Sequence, residues 1–317
     1  MIAGIIAGIT WAIASYVLTL ATGMEPFCSL ESLLFVTFIS TFIHDASSAI
    51  WATAYNGVRG NLKNVYRALV KTKSGKWVVV AALIGGPVGM TGYVMALTYM
   101  GASIGAVASA VFPAIGAILA YIFLKEKMKW YQWLFLIATL AGVYGLSYSP
   151  ELNIENFWLG ILGAAMCAFG WGIEAVILAK CLTDPEVKDE YALQIRQTTS
   201  ALTYAIVILP FIKGWGFTTE LFTPETKWLI PAIVIAGLFA TVSYLYYYKA
   251  ISQIGASKAM ALNVTYCAWI AVIPMVLGLF KGQMPQFNLI QTLCTVIVLV
   301  CGIFAAADFK EIFKKGN

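Results

Sequence analysis

Glu174 stands in "GWGIEAVIL" (170–178), an otherwise apolar run, with a tryptophan, Trp171, one helical turn before it. Three more ionisable residues share such settings: His44 and Asp45 in "FIHDASSAI" (42–50), and Arg196 in "IRQTTS" (195–200). A charge at the centre of a bilayer costs about 2.5–3.5 kcal/mol, so each of these residues needs a partner or a task. Asp45, Glu174 and Arg196 fall toward the same half of their segments, so one network in which Arg196 neutralises one or both acids is expected. The plain reading of Asp45 with Arg196 is an ion pair that holds helices in register, and His44, the only histidine, has a structural reading too. Glu174 differs, because residues three apart on a helix share a face and Trp171 lies beside it.

The rings extend the pattern. Trp77, Trp130, Trp133, Trp158 and Trp228 lie near segment ends, where aromatic residues anchor at the headgroups. Trp11, Trp171, Tyr266 and Trp269 lie deeper. Tyr244 and Tyr247 share one segment, and Asn263 precedes the Tyr266–Trp269 pair by one turn. An aromatic face attracts a cation by about 0.5–1 kcal/mol, and about 2 or more once water is removed. Quaternary ammonium donates no ordinary hydrogen bond, so walls of rings with one carboxylate suit it. Glu174 is expected to be that carboxylate, unpaired while the site is empty, and to release a proton as the cation arrives. The acid–aromatic set thus points to a small cation and to protons.

Such residues must be positioned by membrane helices. The chain of 317 residues is 61% hydrophobic and 11% charged, against about 25% charged in soluble domains. A bilayer core takes about 20 apolar residues of helix. Ten segments meet this: 2–20, 29–53, 77–99, 102–124, 130–148, 157–181, 189–212, 228–251, 255–280 and 286–307. The stretch 55–76 is polar and basic, with an interfacial helix as one reading, and the breaks at 100–101 and 252–254 are short enough to require tight hairpins. Of the 20 Lys and Arg, only Lys213, Lys227 and Lys281 fall on one face and Arg196 lies within a segment. The rest crowd the other face, which places both termini in the cytoplasm. The net charge of +5 is then a topology signal, with no nucleic-acid partner implied. The six cysteines form no CxxC pair and read as small apolar residues. No cleaved signal peptide, metal or cofactor is expected.

The chain also reads as duplicated. "ALTYMGASIGAVASAVFPA" (96–114) and "AISQIGASKAMALNVTYCA" (250–268) both place Gly-Ala-Ser at the opening of a segment, at an offset of 154 that also relates Tyr93 to Tyr247. Trp11 answers Trp171 at an offset of 160. Two five-segment halves follow, 1–149 and 150–317, and an odd number forces the second to enter the membrane inverted. Inverted repeats are a secondary-transporter architecture with the site between the halves at mid-depth. Small-residue runs, "GGPVGM" (85–90) and "GILGAAMCAFG" (160–170) among them, allow close helix packing. Pro87, Pro113 and Pro274 interrupt segments and permit kinks or hinges.

The stretches "HD" (44–45), "GGPVGM", "GWGIE", "IRQTTS", "SYLYYYKAI" (243–251) and "ALNVTYCAW" (261–269) together resemble the drug/metabolite transporter superfamily, of the EamA type, and within it the LicB-type choline permeases. The resemblance covers essentially the whole chain. It implies proton-coupled choline uptake across a bacterial plasma membrane, with a cage of Trp11, Trp171, Tyr244, Tyr247, Tyr266 and Trp269, Glu174 as the acid and Asn263 as a polar neighbour. Betaine, carnitine-like and polyamine cations suit similar chemistry. An exporter of amino acids or other metabolites is the alternative within the superfamily, and a channel or lipid scramblase the alternative outside it. An enzyme is not expected, because no HExxH, GxSxG or paired Cys/His site is present.

Overall fold

The structure is a computed structural model, described here for residues 1–29, 33–100, 110–147, 156–223, 226–282 and 288–308. Every regular element among the described residues is helical. The chain runs through α1 (Ile2–Thr22), α2 (Leu33–Val58), α3 (Leu62–Lys71) and α4 (Lys73–Leu83), which passes through a π-turn (Ile84–Val88) into α5 (Gly89–Met100). After α6 (Phe112–Leu124), α7 (Trp130–Ser147) and α8 (Phe157–Cys181) comes α9 (Asp189–Thr203), continued by a second π-turn (Tyr204–Ile208) and a final turn, Leu209–Phe211. A short α10 (Trp215–Glu220) leads to α11 (Leu229–Ile254), α12 (Ala256–Asn263), α13 (Tyr266–Phe280) and α14 (Leu289–Ala306).

Among the described residues, six helical stretches are long and apolar enough to cross a bilayer: Ile2–Thr22, Lys73–Ala96, Phe157–Cys181, Leu229–Ile254, Ala256–Phe280 and Leu289–Ala306. Phe112–Leu124 and Trp130–Leu146 are apolar but shorter. Most of the large exposed side chains are apolar, Phe211, Phe280 and Trp158 among them, which suits lipid rather than water as the surrounding solvent. The described residues are those of an all-helical polytopic membrane protein.

Several boundaries differ from the sequence expectation. The polar stretch 55–76 is largely helical: α2 runs on to Val58, and α3 and α4 fill most of the rest. Thr72 makes the corner between them. Its hydroxyl accepts from Gly75 N at 2.8 Å and donates to Ala68 O at 2.6 Å, capping α4 as it leaves α3. Residues 252–254 belong to α11, and the whole break is Gly255, at φ 86°. Pro113 sits in the first turn of α6, where its missing N–H costs nothing. Pro87 lies in the π-turn and Pro274 inside α13, while the break between α12 and α13, at Val264 and Thr265, has no proline. The first Gly-Ala-Ser copy (101–103), residues 149–155 and Lys310, Lys314 and Lys315 lie outside the described residues.

The main packing pairs join the two halves of the chain. α1 packs on α11 and α13, α8 on α4, α5 and α6, α2 on α9 and α11, α9 on α4, α6 on α12, and α7 on α14. Glycine sets the distance at the closest of these. A Cβ on Gly92 would strike Gly163 O, and one on Gly163 would strike Gly92 O, so α5 and α8 touch backbone to backbone. Gly4 and Gly8 of α1 likewise take up Leu262 and Thr265, at the broken end of α12.

Candidate functional site

Two adjoining chambers lie between these helices. The first is narrow, with about 60 Å³ of free space. Its wall is largely aromatic: Trp11, Phe112, Trp171, Tyr244, Tyr247, Tyr248 and Tyr266, joined by Met90, Ser243 and Asn263. Glu174 is the one charged residue among those lining it. The second chamber has Ser15, Thr41, His44, Asp45 and Arg196 in its wall. Trp11, Met90 and Tyr244 line both and so form the partition.

The rings are arranged around two tryptophans. Trp11 meets Tyr244 edge-on at 5.2 Å between centroids, Tyr266 at 6.5 Å and His44 at 6.3 Å. Trp171 meets Phe112 at 5.4 Å and 90°, and Tyr93 at 5.7 Å. Edge-to-face packing of this kind fixes ring orientation through the ring quadrupoles.

"GGPVGM" explains how Trp171 and Glu174 are seated. Gly85 O, in the π-turn at Ile84–Val88, accepts the Trp171 indole proton, Nε1 to O 3.0 Å. A Cβ at Gly85 would coincide with the Glu174 carboxyl group, one at Gly86 would lie 2.6 Å from Ser200 Oγ, and one at Gly89 would lie 2.9 Å from Trp171 Cδ1. The glycines expected as close-packing sites therefore serve the chambers directly: they make the recess into which α8 places its acid and ring.

Behind the partition lies a closed polar network. Arg196 is 2% exposed. Its Nε donates to Glu174 Oε1 at 2.8 Å, its Nη1 donates to Gln197 Oε1 at 2.8 Å and lies 3.7 Å from Asp45 Oδ2, and its guanidinium stacks over Tyr244, 4.7 Å from the ring centroid. Asp45 Oδ2 accepts from Ser200 Oγ at 2.6 Å, and Oδ1 lies 3.0 Å from His44 Nδ1. Gln197 Nε2 donates to Ser48 Oγ at 2.8 Å, and Ser48 pairs with Thr241 of α11 at 2.8 Å. A buried charge is tolerated only when paired and hydrogen-bonded, and each of these is.

Of the expected binding residues, Trp11, Trp171, Glu174, Tyr244, Tyr247, Asn263 and Tyr266 line one chamber together. Trp269 does not line either chamber, and its Nε1 is buried with no hydrogen-bond partner among the described residues. His44, Asp45 and Arg196 share the second chamber. The expectation that Glu174 stands unpaired is overturned by its bond to Arg196 Nε; the expectation of one network joining Arg196 to both acids fits the distances. Phe112, Tyr248, Met90, Gln197, Ser48 and Ser200 are additions. Phe112 had a signal in the sequence, since it lies 154 residues before Tyr266, the repeat offset. The Ser and Gln residues had none, because such types are common in helices and only packing shows which face a buried charge.

Residues 1–148 match the EamA-like transporter family. Protein LicB of Haemophilus influenzae is 27% identical over 235 residues, which cover 73% of this chain and 75% of that protein. A solved structure, titled only as the crystal structure of a protein, has the same fold, with a TM-score of 0.66 at 18% identity and 96% of each chain covered.

Proposed function

We propose that this chain, an EamA-like transporter by the match of residues 1–148 and a relative of LicB, carries choline or a related quaternary ammonium compound across a bacterial plasma membrane. The observation that carries the substrate class is the first chamber: an aromatic wall with a single carboxylate, Glu174, in it. Desolvated rings and one anion can replace the hydration of a permanent cation, and neither demands a hydrogen-bond donor from it.

Alternating access in this reading uses ten crossings in two inverted halves, 1–149 and 150–317, with both termini cytoplasmic. Three observations support the repeat. Trp11 with Tyr266 and Trp171 with Phe112 are matching ring pairs at offsets of 160 and 154. The turn residues 110–111 ahead of α6 and 264–265 ahead of α13 also lie 154 apart. The packing pairs come in mates, α1 on α11 with α8 on α5, and α2 on α11 with α9 on α4. Protons are the coupling ion in this reading, with Glu174 as the group that would carry them and His44, Asp45 and Arg196 as coupling or gating residues around it.

The test is choline binding and uptake by the purified, reconstituted chain, with Trp171→Ala alongside. Saturable binding, weakened at least about tenfold by loss of the ring, is expected; no binding of any quaternary amine would sink the substrate class. Glu174→Gln with unaltered proton flux would remove the coupling step alone. An amino-acid exporter is the second reading. Arg196 and His44 in the adjoining chamber favour it, since a zwitterion could set its amine at Glu174 and its carboxylate beyond Tyr244. Competition between choline and phenylalanine separates the two.

A further inference from the structure

Glu174 and Tyr244 are among the groups a bound cation would use, and both already hold one. Arg196 donates to Glu174 at 2.8 Å and stacks on Tyr244 at 4.7 Å, from the chamber on the other side of the partition. We propose that Arg196 is a tethered stand-in for the substrate: its guanidinium occupies the cation's partners while the cavity is empty and gives them up when the cavity fills. This rests on the reading of the aromatic chamber as a cation site and adds the way that site is regulated.

The geometry gives the guanidinium a second place to go. Its Nη1 lies 3.7 Å from Asp45 Oδ2, longer than a good charged hydrogen bond. Asp45 is itself held by Ser200 and faces His44. A short swing of Arg196 toward Asp45 lengthens one pair as it tightens the other, so neither position strands a bare charge. Arginine suits the task, because its planar, weakly hydrated guanidinium both stacks on a ring and pairs with carboxylates. Two buried carboxylates, Asp45 and Glu174, face one guanidinium here.

Two effects follow. The resident guanidinium weakens substrate binding, because the site is competent only when it has moved. It also neutralises Glu174 when the empty carrier turns over, a step that would otherwise carry an exposed anion through apolar surroundings.

The experiment compares the full chain with Arg196→Met and Arg196→Lys, using choline as the probe. Choline binding is expected to tighten about tenfold or more in Arg196→Met and to change less in Arg196→Lys. Net uptake is expected to fall in Arg196→Met, while exchange of labelled for unlabelled choline persists. Added guanidinium ion is expected to compete with choline in Arg196→Met and to restore part of net uptake. Loss of stability is expected whether Arg196 is a stand-in or a brace, so thermal midpoints are recorded beside the affinities. Choline binding that weakens in Arg196→Met, or in Arg196→Lys should the former not fold, makes Arg196 a brace and overturns the inference. Absence of choline binding by the unaltered chain overturns the substrate reading instead.

Discussion

A methyl group at position 85 has nowhere to go, because the Glu174 carboxyl group occupies that point. Gly85→Ala is expected to cost about 1–3 kcal/mol, as overpacking does. It should also weaken choline binding by displacing the acid, and thermal unfolding with titration of the same sample checks both. Trp171→Phe keeps a ring in the wall but deletes the bond to Gly85 O. It should lower stability by about 1 kcal/mol and retain more choline binding than Trp171→Ala. At this scale the sequence was informative about residue type and depth: an acid and tryptophans far from segment ends are costly enough to stand out. It said little about pairing. Glu174 and Arg196 are 22 positions apart on different helices, and no periodicity reports that Nε and Oε1 meet at 2.8 Å. Trp269 shares its spacing with Tyr266, yet only Tyr266 lines the aromatic chamber.

Helix ends carry as much of the design as helix faces. Glu126, in the link between α6 and α7, lays its carboxylate on the start of α12. Oε1 accepts from Ala256 N at 2.9 Å, and Oε2 accepts from Ser257 N at 3.0 Å and from Ser257 Oγ at 2.7 Å. The second Gly-Ala-Ser copy is thus a capped helix start. Gly255 supplies the positive φ, and the first amides of α12 meet a negative charge. Glu126→Ala should destabilise by about 1–2 kcal/mol, and Glu126→Gln by less, measured by thermal unfolding in detergent. Breaks announced by glycine or proline were legible in the sequence. The turn at Val264–Thr265 was not, since a hydrogen-bond ladder can part without either residue.

The whole molecule is held together across the midpoint of its sequence rather than within each half, and this sets what an orientation experiment should find. In a variant lacking the exposed Cys28 thiol, Lys213→Cys should react with an impermeant maleimide added outside intact cells, and Lys76→Cys should not. The reverse pattern inverts the topology derived from the lysines. The glycine contact between α5 and α8 limits how such a body can rearrange. Gly92 and Gly163 bring two main chains together, with Met95 and Met166 flanking the contact. A joint that tight leaves no room for sliding, so these two helices are expected to travel as a single lever, with a change of access absorbed where bulkier, re-packable side chains meet.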